Sequence, residues 1–202
     1  MFPLGTVLFP HGLLPLHVFE PRYRALVETC LADENGPEFG VVLIERGSEV
    51  GGGDVRFGVG TIARIVDASR FDDGRYALVA RGLTRCSVRE WLPDDPYPRA
   101  EVVVIDEIAG SPAEAESRAL LEQELRRVLA LMSELGAPVP KGEICLDDDP
   151  VRAAFEAGAL APIGPLDAQR VLEIDDPSIR LVSLVALLGD AATLLELRLA
   201  EG

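Results

Sequence analysis

Residues 13–31 read LLPLHVFEPRYRALVETCL and change character at Glu20. The first half is an apolar run, which predicts a strand with turns around it. After Pro21 the apolar side chains recur at the spacing of one helical face: Tyr23, Leu26, Val27, Cys30 and Leu31. Pro21 suits the first helical position, where its missing N–H would have no partner, and Glu20 favours the positive end of the helix dipole. The stretch therefore predicts a strand that leads directly into an amphipathic helix.

The opening residues match neither an export signal nor a membrane helix. The first formally charged side chain is Glu20, and Pro3, Pro10 and Pro15 interrupt the apolar run before it. A secretory signal has a basic start, an unbroken apolar core and a small-residue cleavage site. Repeated proline also removes backbone donors that a bilayer-spanning helix needs. We therefore expect a mature cytoplasmic protein without a membrane partner.

The charge of the chain limits its partners. The 202 residues carry a formal net charge of −15, and the sequence pI is about 4.5. Such a charge repels phosphate backbones and anionic lipid surfaces, so we expect no nucleic-acid partner. Basic or unfolded apolar polypeptides are compatible with it, and acidity can also serve solubility alone.

The first part of the chain, residues 1–108, reads as a β-rich domain. A continuous apolar run at 39–45 predicts a strand buried on both faces, and residues 55–65 alternate as a strand does. Two further strands follow at 76–91 and 100–107. Strands of this kind, joined by hairpins, predict a partly closed antiparallel barrel.

Glycines mark the bends of this barrel. Gly58 and Gly60 predict a bulge or a sharp curve, and the next long strand bends at Gly82. The turn at 71–75 places Gly74 where a left-handed residue is needed. Gly51, Gly52 and Gly53 read as a loop.

Residues 109–202 read as a helical domain. Ser111-Pro112-Ala113-Glu114 is a capping box, and Asp149-Pro150 and Asp176-Pro177 repeat a cap followed by proline. The last helix, at about 177 to 200, carries apolar residues beyond its main stripe: Ile179, Leu187, Leu194 and Leu197. These are either buried between helices or form a face for a partner. The longest uncharged run in that helix, Leu181–Gly189, is too short to span a bilayer.

No constellation for catalysis, metal or a cofactor emerges from the sequence. Three cysteines without a C-x-x-C pair argue against disulfides and structural zinc: Cys30, Cys86 and Cys145. His11 and His17 have the wrong spacing for two ligands on one helix and read as barrel-end or core histidines. Asp147, Asp148 and Asp149 lack the glycine and distant glutamate of a calcium loop. Lys141 lies in a proline-rich link, where nothing promises the desolvated pocket that a catalytic lysine needs.

Three aromatic residues of the β domain lie in or beside loops: Phe71, Trp91 and Tyr97. They form either an apolar peptide-binding surface or ordinary core and loop packing.

Four stretches together resemble one family. They are FPLGTVLFPHGLLPLHVFEPRYRALV at 2–27, FGVGTIARI at 57–65, ALVARGLTRCSV at 77–88 and LDAQRVLEIDDPSIRLVSLVALL at 166–188. In order and spacing they are similar to the amino-terminal, substrate-binding domain of the ATP-dependent Lon protease. The resemblance implies an α+β fold, with an amino-terminal antiparallel β pseudobarrel of PUA-like architecture and a carboxy-terminal helical bundle. It also implies a free-standing binding domain rather than an enzyme, since 202 residues leave no room for the ATPase and Ser–Lys protease portions of Lon.

The family motif is expected to be structural. Its residues are Phe19, Glu20, Pro21, Arg22, Tyr23 and Arg24. We expect Phe19 and Tyr23 to pack the corner between strand and helix, and Glu20, Arg22 or Arg24 to hydrogen-bond across it.

Two functions follow from the resemblance and the missing catalytic parts. The first is a non-catalytic module that binds unfolded or tagged polypeptides through strand edges and apolar surface, with a separate protease or other protein as a further partner. The second is an adaptor that docks folded partners through the apolar carboxy-terminal helix. For either, we expect a monomer or weak dimer without a cofactor.

Overall fold

The computed structural model describes residues 1–47, 53, 55–111, 114–142 and 144–201. The described elements, in chain order, are β1 (Phe2–Leu4), β2 (Leu13–Val18), α1 (Pro21–Ala32), β3 (Glu38–Arg46), β4 (Val55–Arg70), β5 (Tyr76–Leu92), β6 (Arg99–Val104), α2 (Ala115–Glu134), α3 (Pro150–Leu160), α4 (Pro165–Glu173) and α5 (Pro177–Glu201).

The chain divides into two compact units, Met1–Asp106 and the residues from Glu107 onwards. The first contains the β-sheet and α1, and the second contains α2 to α5. This order of sheet and then helices confirms the predicted α+β class. The domain limits of 1–108 and 109–202 remain a prediction.

The strands of the first unit form one sheet in the order β1-β3-β4-β5-β2, with β6 also paired to β5. The strand pairs are antiparallel except β1 with β3, which is parallel. The chain reverses its direction between β1 and β2 and again between β2 and β3, so β1 and β3 run the same way. The sheet is therefore mixed rather than wholly antiparallel. Its outer strands β1 and β2 line one cavity, so the sheet curves until its two edges face each other. This is the curvature expected of a pseudobarrel.

The predicted bends lie at the glycines. The β3–β4 register shifts between Val42 and Ile44, opposite Gly58 and Gly60. The β4–β5 register shifts between Ile62, which pairs with Thr84, and Ala63, which pairs with Gly82. Gly74 has φ +81° in the turn between β4 and β5, as predicted. Of the predicted glycine loop, Gly51 and Gly52 lie outside the described residues.

Helix α1 packs its apolar stripe into the core of the sheet unit. Tyr23, Leu26, Val27 and Cys30 are buried, and Tyr23 stacks on Phe2 with ring centroids 4.2 Å apart. Leu31 was predicted to join this stripe but is exposed. At 100° per residue, Leu31 lies 80° from Tyr23, at the edge of the buried face rather than within it.

In the second unit, α2, α3 and α5 pack against one another. The Asp149 carboxylate accepts the N–H of Val151 (3.1 Å), and Asp176 accepts that of Ser178 (2.8 Å), so both predicted caps are confirmed. Helix α2 begins at Ala115, and Pro112 of the predicted capping box lies outside the described residues.

Glu114 stabilises two helix starts in this unit. Its carboxylate accepts the N–H of Ser111 (2.6 Å) and the hydroxyl of Ser178 (2.6 Å). It therefore links the start of α2 to the start of α5. The separate helix α4 was not predicted, although Pro165 stands at its start.

Helix α5 is apolar on two faces. Its main stripe is buried, with Leu181, Leu184, Leu188 and Ala192 in the core. Of the additional apolar residues, Leu187 is half-buried, but Ile179, Leu194 and Leu197 are exposed. The interpretation that they are buried between helices is therefore wrong for these three.

By length and composition, α5 is the one helix in the described part of the chain that could cross a bilayer. The core helices of globular proteins pass the same test. Its first turn also buries Arg180, which donates from Nη2 to Glu107 (3.1 Å) and stacks over Phe155.

Candidate functional site

Strand β2 is apolar on both of its faces. Leu14 and Val18 point into the core, and Leu16 is partly buried against it. The alternate residues Leu13, Pro15 and His17 lie on the opposite face and are exposed. The outer face of an antiparallel sheet is normally polar. An apolar outer face on β2 therefore indicates a surface with a purpose other than solubility.

Two neighbouring strands extend this surface. In the sheet register, Pro15 pairs with Val79 and Val79 with Asp67, while His17 pairs with Ala77 and Ala77 with Ser69. These two rows of three residues line a cavity of about 390 Å³. We call this surface the β2 face and define it as Leu13, Pro15, His17, Phe19, Asp67, Ser69, Phe71, Ala77 and Val79.

Two aromatic residues border the β2 face. Phe71 is 45% exposed, and its ring meets the His17 ring edge-on at a centroid distance of 5.9 Å. The turn that presents Phe71 is held by hydrogen bonds from the Phe71 N–H to the Arg75 carbonyl (2.9 Å) and from Gly74 to Phe71 (2.9 Å). Phe19, which directly follows β2, is 53% exposed. The expectation that Phe19 packs the strand-to-helix corner is therefore wrong.

The carboxylates near the β2 face differ in their partners. Arg75 donates to Asp73 (2.6 Å), and the N–H of Arg75 lowers the pKa of that carboxyl below its usual value. Glu20 accepts from Arg22 (3.1 Å). Asp67 is exposed and has no cationic group within 4.0 Å among the described residues. It therefore presents a free negative charge beside apolar side chains.

A second cavity lies at the free edge of β2. It has a volume of about 190 Å³, and its walls include Phe2 and Leu4 of β1, Pro15 to Val18 of β2, and Phe19, Glu20 and Tyr23. The other edge of β2 pairs only with β5 among the described strands. Exposed strand edges offer main-chain groups to an extended peptide. The strand thus combines an apolar face with an edge that pairs with no described strand.

The other residues of the family motif make contacts within the sheet unit. The Arg22 guanidinium bonds Glu20 across the corner and lies over the Tyr23 ring at 4.5 Å. Arg24 reaches the turn between β4 and β5, where its guanidinium occupies the space that a side chain on Gly74 would need. These residues fix α1 against the end of β2, and the roles proposed for them remain predictions.

Trp91 and Tyr97 lie away from the β2 face. The Arg56 guanidinium covers the Trp91 ring at 4.6 Å, and Tyr97 packs against the core of the sheet unit. Both are near the β5–β6 connection, whereas Phe71 is at the opposite end of the β4–β5 hairpin. The three aromatic residues therefore do not form one site, and their role in peptide binding remains a prediction.

His17 is exposed in the β2 face, so the prediction of a core histidine is wrong, whereas a histidine at the end of the barrel remains a prediction. Sequence reasoning likewise did not select Leu13, Pro15, Asp67 or Val79. The signal for β2 was present, because LLPLHVF at 13–19 holds no charged residue and leaves no polar side for solvent.

Nothing in the described residues suggests nucleophilic or metal chemistry. No group of three or more histidine, cysteine or acidic side chains is placed to hold a metal ion there. Burial raises the pKa of the Cys86 thiol to about 11, which disfavours a reactive thiolate. Burial likewise raises the pKa of Cys30, whose thiol donates to the Glu38 carbonyl (3.1 Å).

Residues 1–190 match the family described as the ATP-dependent protease La (LON) substrate-binding domain. The chain belongs to the Lon substrate-binding domain family. A Lon protease of Anaeromyxobacter dehalogenans is 35% identical over 137 residues, which are 66% of this chain and 16% of that protein. Lon protease 2 of Sorangium cellulosum is 31% identical over 198 residues, which are 92% of this chain and 23% of that protein.

Solved Lon structures share the fold. A Lon N-terminal domain protein from Xanthomonas campestris aligns with a TM-score of 0.66 and 28% identity, covering 92% of this chain and 95% of the other. The N-terminal domain of the Mycobacterium avium complex Lon protease aligns with a TM-score of 0.62 at 21% identity, which supports the fold alone. The chain spans under a quarter of the length of the curated relatives above, and the match is to the Lon substrate-binding domain.

Proposed function

We propose that this chain is a non-catalytic module of cytoplasmic proteolysis that binds unfolded or tagged polypeptide segments through β2. Membership of the Lon substrate-binding domain family supports binding of a polypeptide. The observation that carries the proposal is the exposed apolar side of an edge strand, since Leu13 is 60% and Phe19 53% exposed. An extended segment could pair its main chain with the free edge and place alternate side chains on the β2 face.

The direct test is fluorescence anisotropy of a labelled, permanently unfolded casein titrated with the protein. We expect saturable binding at roughly micromolar strength, about 8 kcal/mol, that tolerates moderate salt because apolar burial dominates. The double variant Leu13→Ser/Phe19→Ser should weaken binding about tenfold by removing two exposed apolar side chains. Val104→Ser on β6 is a matched control, because Val104 is similarly exposed in the same sheet. Absence of binding at about tens of micromolar protein would overturn the proposal.

A second function is supported by the exposed face of α5. Leu194 and Leu197 are 60% and 57% exposed, and Ile179 and Val182 lie on the same side of the helix. Such a face fits an adaptor that docks a folded partner or a second copy. Sedimentation over a range of protein concentrations tests whether a second copy binds this face. Leu194→Glu should abolish that self-association and leave the circular dichroism spectrum unchanged. If the protein is a monomer at every concentration, a second copy is excluded and only a different folded partner remains for this face.

A further inference from the structure

We infer that the β2 face selects extended segments in which a large apolar side chain stands two residues from a lysine or arginine, with Asp67 binding the basic side chain. This inference rests on the proposed polypeptide-binding function and specifies its substrate class. It is carried by the sheet register, by the Asp67 carboxylate, which has no cationic partner among the described residues, and by the spacing of the two rows.

The apolar half of the site is the row His17–Ala77–Ser69, which lies nearest the turn between β4 and β5. Ala77 is its half-buried centre, His17 flanks it, and the exposed Phe71 ring closes its end. With the adjoining Pro15 and Val79, these side chains form walls for an aliphatic or aromatic side chain. The cavity of about 390 Å³ is within the range of small-ligand sites.

The charged half is the adjacent row, Pro15–Val79–Asp67. The nearby carboxylates of Asp73, Glu20 and Glu28 each have an arginine within 4.0 Å, whereas Asp67 has no such partner among the described residues. A lysine or arginine over Asp67 would therefore gain an ion pair without displacing an existing one. The net charge of −15 also favours a basic segment over an acidic one.

The remaining charges around the β2 face determine where along it a basic side chain of the bound segment can lie. Arg81 lies one row beyond Asp67, opposite Leu13, and Arg64 pairs with Arg81 on β4 while bonding Glu38 (2.6 Å). A basic side chain at that end would meet like charge. The favourable position for a cation is therefore the Asp67 row, next to the apolar row and away from Leu13.

The spacing of the rows determines the spacing in the ligand. Adjacent rows on one sheet face are two residues apart along each strand, and an extended peptide repeats its side chains with the same period. For a segment that lies over the β2 face along β5, an apolar side chain in the His17 row therefore places the residue two positions away over the Asp67 row. A basic residue at the adjacent position would point to the opposite side.

Three labelled short peptides of matched length test the inference, alongside labelled casein. They carry one phenylalanine with a lysine two residues away, a glutamate two residues away, or a lysine one residue away. We expect the first peptide to bind about fivefold more tightly than either of the others. Asp67→Lys should remove or invert the preference of lysine over glutamate. Glu101→Lys on β6, an exposed site with the same change in charge, should leave it unchanged.

The possible outcomes distinguish failure of the inferred lysine or arginine selectivity from failure of the proposed polypeptide binding. If casein binds but the three peptides do not differ, or if Asp67→Lys and Glu101→Lys act alike, the inference is overturned and the proposed function stands. If neither casein nor any peptide binds, the proposed function fails and the inference fails with it. Circular dichroism and Trp91 fluorescence confirm that each variant is folded, and both substituted side chains are exposed.

Discussion

Strand β2 and helix α5 both bury one apolar side and expose another, but they offer different things to a partner. Along α5 the main-chain groups are bonded within the helix, so only side chains such as Leu194 and Leu197 are available. Strand β2 has an unpaired edge as well as the exposed Leu13 and Pro15. A strand edge can bind any extended backbone, whereas a helix face needs a partner of complementary shape. The proposed binding of diverse unfolded segments is therefore better explained by β2.

The charges of the two units strengthen this contrast. Residues 1–106 carry 16 acidic and 11 basic side chains, a net −5, and residues 107–202 carry 18 and 8, a net −10. The α5 face therefore belongs to the more acidic part of the chain. An unfolded segment of ordinary composition meets less repulsion at the sheet unit.

The largest expected effect separates the two sides of α5. Leu184→Ala removes a fully buried side chain and should lower the free energy of unfolding by about 3 kcal/mol through lost burial and the cavity left behind. Leu194→Ala, on the exposed side, should change it by less than about 0.5 kcal/mol. Urea unfolding followed by circular dichroism measures both. A loss of about 2 kcal/mol or more for Leu194→Ala would be roughly half the cost of a full core truncation. It would show that this face is packed, and the contrast between the two sides of α5 would fail.

A smaller effect tests how β2 is held in place. A side chain at Gly82 would collide with the Phe9 carbonyl, and Gly82 exchanges hydrogen bonds with His11 (2.8 Å) and Gly12 (2.9 Å), just before β2. Gly82→Ala should therefore destabilise the sheet unit by about 2 kcal/mol and weaken casein binding. Gly58→Ala is the matched control, because the space around Gly58 is open. Equal effects from the two variants would show that strand propensity, rather than the contact with Phe9, sets the stability.

Local patterns predicted the elements that depend on neighbouring residues. The Pro21 helix start, the Gly74 turn and the Asp149 and Asp176 caps were predicted because each is decided within a few residues. The parallel pairing of β1 with β3 was not predicted, since it joins residues about 40 positions apart and leaves no local pattern.

The β2 face was harder to predict for a related reason. An apolar run such as LLPLHVF at 13–19 has the same appearance whether both faces are buried or one is exposed. Which of these holds depends on what covers the second face, and that is decided by elements distant in sequence. Asp67 and Val79 join Pro15 only through the sheet register, so no spacing in the sequence indicates their contact.

The smallest expected effect distinguishes the two units by their response to pH. The Met1 amino group donates to the Pro98 carbonyl (2.7 Å), and burial lowers its pKa from 8.0 to about 6. Between pH 8 and pH 6 the unfolded chain therefore binds a proton that the folded sheet unit does not, so the sheet unit should lose stability as the pH falls. Met1 belongs to the sheet unit, so this contribution should appear in the unfolding of that unit.

Urea unfolding at pH 8 and pH 6 tests this difference with two signals. The fluorescence of Trp91 reports on the sheet unit, and circular dichroism is dominated by the helices. We expect the fluorescence midpoint to fall more than the helical one as the pH drops from 8 to 6. Well below pH 6, where both states of the amine are protonated, the amine should cause no further change. Acetylation of the amine is the control, because it removes the titrating group. A shift that persists after acetylation would assign the pH response to a group other than the Met1 amine.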